Sequence, residues 1–521
     1  MSIATPNRSA AVSSAASSSY TLPLAVVTTL FFMWGSLTSL NDVLIPYAQH
    51  VFKIKLDASM LIQTAFFSAY FVFSIPAAKI IDWIGYKRAI IVGLLTMVAA
   101  CLGFYPAARI PSFPFFLFAL IVLATGITIL QVAANPYVAV LGKPETASSR
   151  LNLTQAFNSL GTAIFPWIGA HLILGTTATA MAQSAFREAD AVVKLYVYFF
   201  SAALLLLTLA IGLFKLPAME SAEHHIGEKV ADSIWKHPNL IFGAIGIFVY
   251  VGGEVAIGSS ISNYLALDNI GGFISPSSIA DAGVRYRAAL GVAAGYISLY
   301  WLGAMVGRFI GSALLKGVKA LHMGAVFIIA LLLILVSYRT ASSAGVVSTV
   351  LAFLANVRPL AILTAATTGL AMLIGAVRKG SIAIKTGHLL AICAIMAALL
   401  VTVSVLNSGP VAMWSILSVG FFNSIMFPCI FTMGIAELGP LTGDGSGILN
   451  MAIVGGAIIP YVVGRAAVLI NSHYYSAMTQ GETSWGQGLH YALIAATLCY
   501  LYLLFFALSG SKPNSERNPR T

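Results

Sequence analysis

Two carboxylic acids of this sequence lie inside long apolar stretches, where a charged group is costly. Asp42 lies in the apolar stretch 21–46, and Glu254 lies in the stretch 239–265. A charged side chain at the centre of a membrane-spanning helix costs roughly 2.5–3.5 kcal/mol on insertion scales. Burial disfavours the charged form of a carboxyl group and favours proton uptake, whereas a hard cation such as sodium prefers oxygen ligands. Both acids are therefore candidate cation-coupling groups, and the alternative for each is a hydrated position near a helix end.

Side-chain amides form a second group of polar residues in the apolar stretches. Gln131 and Asn135 are four residues apart, and Gln155 and Asn158 are three apart, so each pair shares one face of a helix. An amide offers donors and an acceptor together, which suits the hydroxyl groups of a neutral sugar. Hydrogen bonding between helices is the competing interpretation of each amide. Further candidate binding amides occur in the other apolar stretches: Asn41, Asn263, Asn423 and Asn450.

The elements that position these side chains are predicted to be membrane-spanning helices. Of the 521 residues, 59% are hydrophobic and only 9% are charged, whereas soluble domains carry about 25% charged residues. Apolar stretches of roughly 18–26 residues recur along the chain, enough to cross about 30 Å of hydrocarbon as helices. Continuous stretches of this kind exclude a membrane β-barrel, whose strands give short alternating segments. We therefore predict an all-α integral membrane protein.

The charge and the cysteines exclude several other classes of protein. The net charge is +11, but no basic run is interleaved with exposed aromatic residues, so nucleic acid is not expected as a partner. The four cysteines fall inside apolar stretches without the spacing of metal ligands, so they are predicted to be small buried residues. No metal site and no cofactor are expected.

Fourteen membrane spans are predicted, with a polar segment after the sixth. They lie near 21–46, 58–81, 89–107, 113–141, 150–175, 191–214, 239–265, 289–314, 321–338, 359–377, 384–406, 411–436, 446–470 and 487–509. The predicted domains are a disordered cytoplasmic tail (1–20), an N-terminal bundle (21–215), a cytoplasmic linker (216–238), a C-terminal bundle (239–510) with a helical pair inserted at about 316–382, and a cytoplasmic tail (511–521). With the N-terminus inside, 17 Lys and Arg residues fall on the inner side and nine on the outer side. This bias predicts that both termini face the cytoplasm.

A weak internal repeat relates the two predicted bundles. The string Gly161-Thr-Ala-Ile-Phe-Pro166 is similar to Gly455-Gly-Ala-Ile-Ile-Pro460, and the intramembrane prolines Pro136 and Pro428 precede them by 30 and 32 residues. Two related halves joined by a polar cytoplasmic loop are typical of transporters built from parallel repeats, which bind substrate near the midplane between the halves.

The predicted turn between the second and third spans contains an acid, a glycine and two cations. In Asp82-Trp-Ile-Gly85-Tyr-Lys87-Arg88 these residue types favour a tight, ion-paired turn. The motif resembles the loop signature of the major facilitator superfamily. The resemblance implies a structural or gating role for Asp82, Gly85, Lys87 and Arg88, and a fold of two six-helix bundles.

Longer strings resemble one branch of that superfamily, the fucose:proton symporter family. They are Gln131-Val-Ala-Ala-Asn-Pro-Tyr-Val138, Arg150-Leu-Asn-Leu-Thr-Gln-Ala-Phe-Asn-Ser-Leu-Gly161, Gly420-Phe-Phe-Asn-Ser-Ile-Met-Phe-Pro428 and Gly443-Asp-Gly-Ser-Gly-Ile-Leu-Asn450. The resemblance covers about 28–312 and 384–510 and is greatest to the glucose/galactose permeases, with N-acetylglucosamine carriers as near relatives. It implies uptake of a hexose-type sugar, coupled to a proton or sodium ion, by a monomer in the bacterial inner membrane.

The resemblance also implies roles for individual residues. Asp42 matches the protonatable acid of the first span, and Gln155 and Asn158 match amides of the sugar cavity. Arg308, in Gly307-Arg-Phe-Ile-Gly311, matches a buried arginine of the eighth span. The chain departs from the family at Gln131, because the fucose carriers have a second acid there. The residues thus leave Asp42 and Glu254 as the candidate coupling acids.

Two other classes of membrane protein compete with a transporter. A membrane-embedded enzyme needs clustered His, Asp or Glu side chains, and the histidines and acids of this sequence are scattered. A channel needs a filter sequence or a ring of pore-lining residues, and no such pattern occurs. The sequence therefore favours a transporter, with a membrane-embedded enzyme and a channel or lipid-handling protein as the alternatives.

Overall fold

The structure is a computed structural model, and it describes residues 21–40, 44, 48, 52, 61–110, 112–169, 192–214, 217, 233–279, 282–316, 384–474 and 486–513. Within these ranges every regular element is helical, which confirms the predicted all-α class. The predicted spans 321–338 and 359–377, most of the tails and most of the linker lie outside the described residues.

The described part of the chain contains fourteen α-helices. They are α1 (Thr21–Ser39), α2 (Leu61–Arg109), α3 (Phe113–Val140), α4 (Ala147–Gly169), α5 (Ser201–Leu213), α6 (Pro238–Leu265), α7 (Ala282–Lys316), α8 (Thr386–Leu406), α9 (Gly409–Asn423), α10 (Met426–Gly434), α11 (Thr442–Met451), α12 (Gly455–Tyr474), α13 (Gly486–Ala492) and α14 (Ile494–Phe505). Short π-helical segments precede α5 (Val193–Phe200) and follow α14 (Phe506–Gly510).

The twelve predicted spans outside the insertion all coincide with these helices. Nine helical stretches in the described ranges are long and apolar enough to cross a membrane. Helix α2 contains two of the predicted spans. Helices α4 and α7 coincide with the fifth and eighth predicted spans and carry polar residues, among them Gln155 in α4 and Arg308 in α7.

The predicted turn between the second and third spans is a sharp break within α2. Gly85 has φ 75° and ψ 167°, inside the left-handed region that a side chain disfavours. The two limbs of α2 therefore reverse direction at this glycine. Lys79 lies just before the break, and we refer to this end of the molecule as the Lys79 end.

The first and fifth predicted spans, α1 and α4, cross closely in the N-terminal half. A Cβ atom on Gly161 would lie 2.5 Å from the carbonyl oxygen of Phe32 and 2.8 Å from Ser36 Oγ. Small residues of this kind let two helix backbones approach within a membrane, where packing and hydrogen bonds drive association.

The two halves of the chain contact each other through two pairs of helices. Helix α2 packs against α11, and α4 packs against α7. Each pair takes one helix from the N-terminal half and one from the C-terminal half. Contacts of α3 with α11 and of α4 with α10 extend these two interfaces.

We expect Gly161→Val to destabilise the protein by about 1–3 kcal/mol, because the added side chain overfills the crossing of α1 and α4. The thermal unfolding midpoint in detergent measures this effect. Gly464→Val is the matched control, since a Cβ at this helical glycine meets no atom within 4 Å. Equal midpoints for the two variants would contradict the predicted crossing.

Candidate functional site

An ion-pair cluster joins the two halves at the Lys79 end. Lys79 Nζ lies 3.1 Å from Asp82 Oδ2 and 2.8 Å from Asp444 Oδ1, so the predicted turn of α2 contacts the start of α11. The Lys79 side chain is 49% exposed, and an ion pair with that exposure contributes about 0–1 kcal/mol. Its effect is therefore on the register of α2 and α11 more than on stability.

Hydroxyl groups join the second interface at the same end. Ser149 Oγ donates to the carbonyl oxygen of Ser312 at 2.7 Å, and Ser312 Oγ donates to the carbonyl oxygen of Ser149 at 2.9 Å. At the preceding residue, the hydroxyl oxygens of Ser148 and Thr432 lie 2.5 Å apart. Within the described residues, hydrogen bonds between the halves thus hold both interfaces closed at the Lys79 end.

Arg308 of α7 joins the halves deeper in the bundle. Its Nε donates to the carbonyl oxygen of Ser424 at 3.1 Å, within the C-terminal half. One terminal nitrogen donates to the carbonyl oxygen of Gln155 at 3.3 Å and to the hydroxyl of Ser159, both on α4. The planar guanidinium presents its donors in a fixed fork, which allows one side chain to contact three acceptors on two helical bundles.

Glu254 lies near the middle of α6 and is only 9% exposed. Glu254 therefore lies away from both ends of its helix. Its Oε1 atom is buried and has no hydrogen-bond partner among the described groups. The Arg308 guanidinium is within electrostatic range, and the Tyr250 hydroxyl lies beside the carboxyl group. A buried carboxylate without a full set of partners is costly, so this arrangement suits a carboxyl group that binds and releases a cation.

A chain of hydrogen bonds surrounds Glu254 in the C-terminal half. The Tyr250 hydroxyl donates to the carbonyl oxygen of Asn423 at 3.2 Å, and Asn423 Nδ2 donates to the Tyr300 hydroxyl at 2.8 Å. The Tyr300 hydroxyl in turn lies 3.4 Å from the carbonyl oxygen of Glu254. Asn423 Oδ1 is buried without a partner in the described residues. Asn423 therefore connects the tyrosines around Glu254 and keeps one free acceptor.

The predicted amides of the N-terminal half each use part of their hydrogen-bonding capacity within the protein. Gln131 Nε2 donates to the Tyr70 hydroxyl at 2.8 Å, and Asn158 Nδ2 donates to the carbonyl oxygen of Phe31 at 3.0 Å. Asn158 is partly exposed, and Gln155 lies next to the Arg308 contact. Gln155 thus lies at the junction of the two halves through its main chain, Asn158 faces α1 within the N-terminal half, and Gln131 lies on the neighbouring helix α3.

The remaining predicted site residues differ in their surroundings. Asn135 is fully buried, and neither its Oδ1 nor its Nδ2 has a partner in the described part of the chain. Asn263 Oδ1 accepts a hydrogen bond from the Tyr286 hydroxyl at 2.9 Å, and Asn450 Nδ2 donates to the carbonyl oxygen of Ser446 at 2.8 Å. Asn263 and Asn450 therefore serve at least partly as links within the protein, as the competing interpretation proposed.

The predicted turn residues also have defined contacts. Lys87 Nζ donates to the carbonyl oxygens of Gly212 and Phe214 at 2.9 and 3.0 Å, at the end of α5. Arg88 is exposed. Asn41 and Asp42, the candidate amide and acid of the first span, lie outside the described residues.

Sequence reasoning missed the serines that join the halves. Ser149, Ser312 and Ser446 are common, small residues in apolar stretches and carry no motif of their own. The sequence signals only the acceptor, because Pro136 leaves one carbonyl group of α3 without its helical donor, and it does not identify Ser446 as the replacement donor.

Comparisons with known proteins agree with this architecture. The sequence profile of the Major Facilitator Superfamily matches residues 24–375. The chain is 39% identical to a glucose/galactose transporter of Brucella abortus, over 95% of both chains. It is 35% identical to a putative glucose/galactose transporter of Helicobacter pylori, over 95% of this chain and 98% of the relative. Among solved structures, the fucose:proton symporter of Escherichia coli in its outward conformation matches 95% of this chain and 99% of its own, with a TM-score of 0.69 and 26% identity.

We expect Arg308→Lys to lower the thermal unfolding midpoint, because an ammonium group cannot contact Ser424 and α4 in the geometry of the guanidinium fork. A hydrogen bond to a charged group contributes about 1.5–3 kcal/mol, so the loss of one contact is measurable. Arg88→Lys is the matched control at an exposed position. An unchanged midpoint for Arg308→Lys would show that the bridge does not hold the halves together.

Proposed function

The chain belongs to the major facilitator superfamily, and we propose that it is a secondary active transporter that imports a hexose-type sugar by cation symport with alternating access. Glucose and galactose are the first candidates, because they appear in the names of the Brucella and Helicobacter relatives. Fucose and N-acetylglucosamine are the next. A proton is the first candidate for the coupling ion, since the E. coli relative is an L-fucose-proton symporter, and sodium is the alternative.

The observation that carries this proposal is the Arg308 bridge between the halves. Alternating access requires a site between two bundles that can separate on either side. Arg308 places a cation at such a junction, with Gln155 and Ser159 on one side and Ser424 on the other. Amides that can bind sugar hydroxyls and a buried acid that can bind a proton thus lie around one bridge.

The closed Lys79 end supports the assignment of this structure to an outward-open conformation. The bias of Lys and Arg places this end in the cytoplasm, with both termini on the same side. Hydrogen bonds between the halves then close the cytoplasmic side, as expected for a transporter that opens to the outside. The similarity to the outward conformation of the E. coli symporter supports this assignment.

The proposed molecule is a monomer in the bacterial inner membrane. Residues 21–215 and 239–510 form its two bundles, 216–238 its cytoplasmic linker, and about 316–382 an inserted helical pair. An even number of inserted spans preserves the orientation of every later helix.

We propose that Asp42 and Glu254 share the coupling. Asp42 is the acid of the first span, and Gln131 occupies the position at which the fucose carriers have a second acid. Glu254 supplies a buried carboxyl group in the opposite half, with the Arg308 guanidinium within electrostatic range. A shift of Arg308 toward Glu254 would promote release of the cation, and a shift toward α4 would favour binding.

We expect Asn158→Ala to weaken sugar binding by about 1–3 kcal/mol, because polar partners on the sugar lose a hydrogen bond. Binding of glucose and galactose to the purified protein measures this loss. Asn407→Ala is the control, since that amide is exposed and donates within its own helix to Val403. Asn158 also contacts α1, so thermal stability is measured in parallel; unchanged affinity in a stable variant would remove Asn158 from the site.

We expect Asp42→Asn to abolish accumulation of sugar against its gradient but to spare equilibrium exchange, because the neutral amide mimics the protonated acid. Both modes are measured in the same proteoliposomes, with either a proton or a sodium gradient imposed. Glu145→Gln, at an exposed position, is the control. If Asp42→Asn still concentrates sugar, the principal coupling group is elsewhere, and Glu254→Gln is expected to give the uncoupled behaviour instead.

A further inference from the structure

Two prolines at corresponding positions of the repeat each leave one main-chain carbonyl group without its helical donor. Pro136 in α3 cannot donate to the carbonyl oxygen of Val132, and Pro428 in α10 cannot donate to that of Ser424. A buried carbonyl group without a partner is costly within a membrane. Each of these carbonyl groups therefore requires a donor from outside its own helix.

Both carbonyl groups receive that donor at a contact between the halves. Ser446 Oγ, from α11 of the C-terminal half, donates to the carbonyl oxygen of Val132 in the N-terminal half at 2.8 Å. Arg308 donates through Nε to the carbonyl oxygen of Ser424 and through one terminal nitrogen to α4. The carbonyl groups that the two prolines leave free thus accept hydrogen bonds from side chains that lie at the interface between the halves.

The surroundings of Ser446 hold its hydroxyl group against α3. Ser446 is fully buried. Asn450 Nδ2 lies 3.3 Å from Ser446 Oγ as a donor, which directs the serine hydrogen toward Val132. The adjacent Gly447 permits close approach to α2, because a Cβ there would lie 2.9 Å from Ala78 Cβ and 3.0 Å from the carbonyl oxygen of Ser74.

We propose that the Ser446–Val132 hydrogen bond is a latch that sets the balance between the two access states of the transporter. This inference rests on the alternating access of the proposed function. The bond exists only while α11 lies against α3, that is, while the Lys79 end is closed. When that end opens, water can reach the carbonyl group of Val132, so only the closed state depends on the serine. Ser446 is thus a positioning residue, and Asn450 orients its hydroxyl group.

The latch is tested by a double-mutant cycle. Ser446→Ala leaves the carbonyl group of Val132 unpaired in the closed state, so the ratio of open to closed molecules rises roughly tenfold. Pro136→Ala restores an N–H group that satisfies this carbonyl group within α3. In the Pro136→Ala background we therefore expect Ser446→Ala to change the ratio by less than about twofold. Ser418→Ala is the matched control, because that buried serine bonds the carbonyl oxygen of Trp414 in its own helix.

The ratio is measured from distances between spin labels attached at Lys143→Cys and His388→Cys, by double electron–electron resonance. Both positions are exposed at the Lys79 end, one in each half, and the four native cysteines are buried. Samples contain no sugar and no ion gradient. An absent shift for Ser446→Ala, or an equal shift in both backgrounds, would overturn the latch.

Two further results distinguish a failure of the latch from a failure of the proposed alternating access. If Pro136→Ala does not fold, Ser446→Thr keeps the hydroxyl group and is expected to restore most of the closed population that Ser446→Ala loses; an equal loss in both variants would overturn the latch. A single distance in every sample, with and without glucose or galactose, would overturn alternating access and the latch together. Failure to accumulate sugar, with two distances still present, would refute the sugar proposal alone.

Discussion

The requirement that backbone polar groups be satisfied without water governs this structure. In the hydrocarbon region each unpaired N–H or C=O group costs several kcal/mol. Every regular secondary-structure element in the described residues is accordingly a helix. Proline breaks that rule locally. At Pro136 and Pro428 the freed carbonyl groups are satisfied by Ser446 and Arg308, and both donors lie at the contact between the halves. The sites of broken helical bonding are therefore also the sites at which the two bundles meet.

The same requirement explains why the polar residues gather on particular helices. Helices α4 and α7 both carry polar residues, and they pack against each other across the two halves. Polar groups are tolerated there because they are turned to protein partners and not to lipid. The polar residues of these two helices are thus explained by their position at the interface.

Glu254 and Arg308 show how charged side chains are accommodated within the membrane-spanning part of the protein. Glu254 is surrounded by tyrosine hydroxyl groups and faces Arg308, but forms no salt bridge with a described residue. Arg308 instead satisfies its donors on Gln155, Ser159 and Ser424. The Arg308 guanidinium is thus held by neutral acceptors beside a buried acid. In the proposed function, an exchange of these acceptors for Glu254 would link the protonation of the acid to the contact between the halves.

The sequence by itself determined the class, the spans and the residues that needed an explanation. Continuous apolar stretches predicted the twelve spans, outside the insertion, that coincide with helices of the structure. The cost of a charge at membrane depth singled out Glu254. The motif around Gly85 predicted the sharp turn, because its residue types require a local conformation. What periodicity and composition cannot encode is which helices meet, since that depends on packing between residues hundreds of positions apart. Only the tertiary structure paired Ser446 with Val132 and placed Arg308 between Ser424 and α4. It also showed that Asn450 contacts Ser446, whereas Asn158 donates to the carbonyl oxygen of Phe31 in α1.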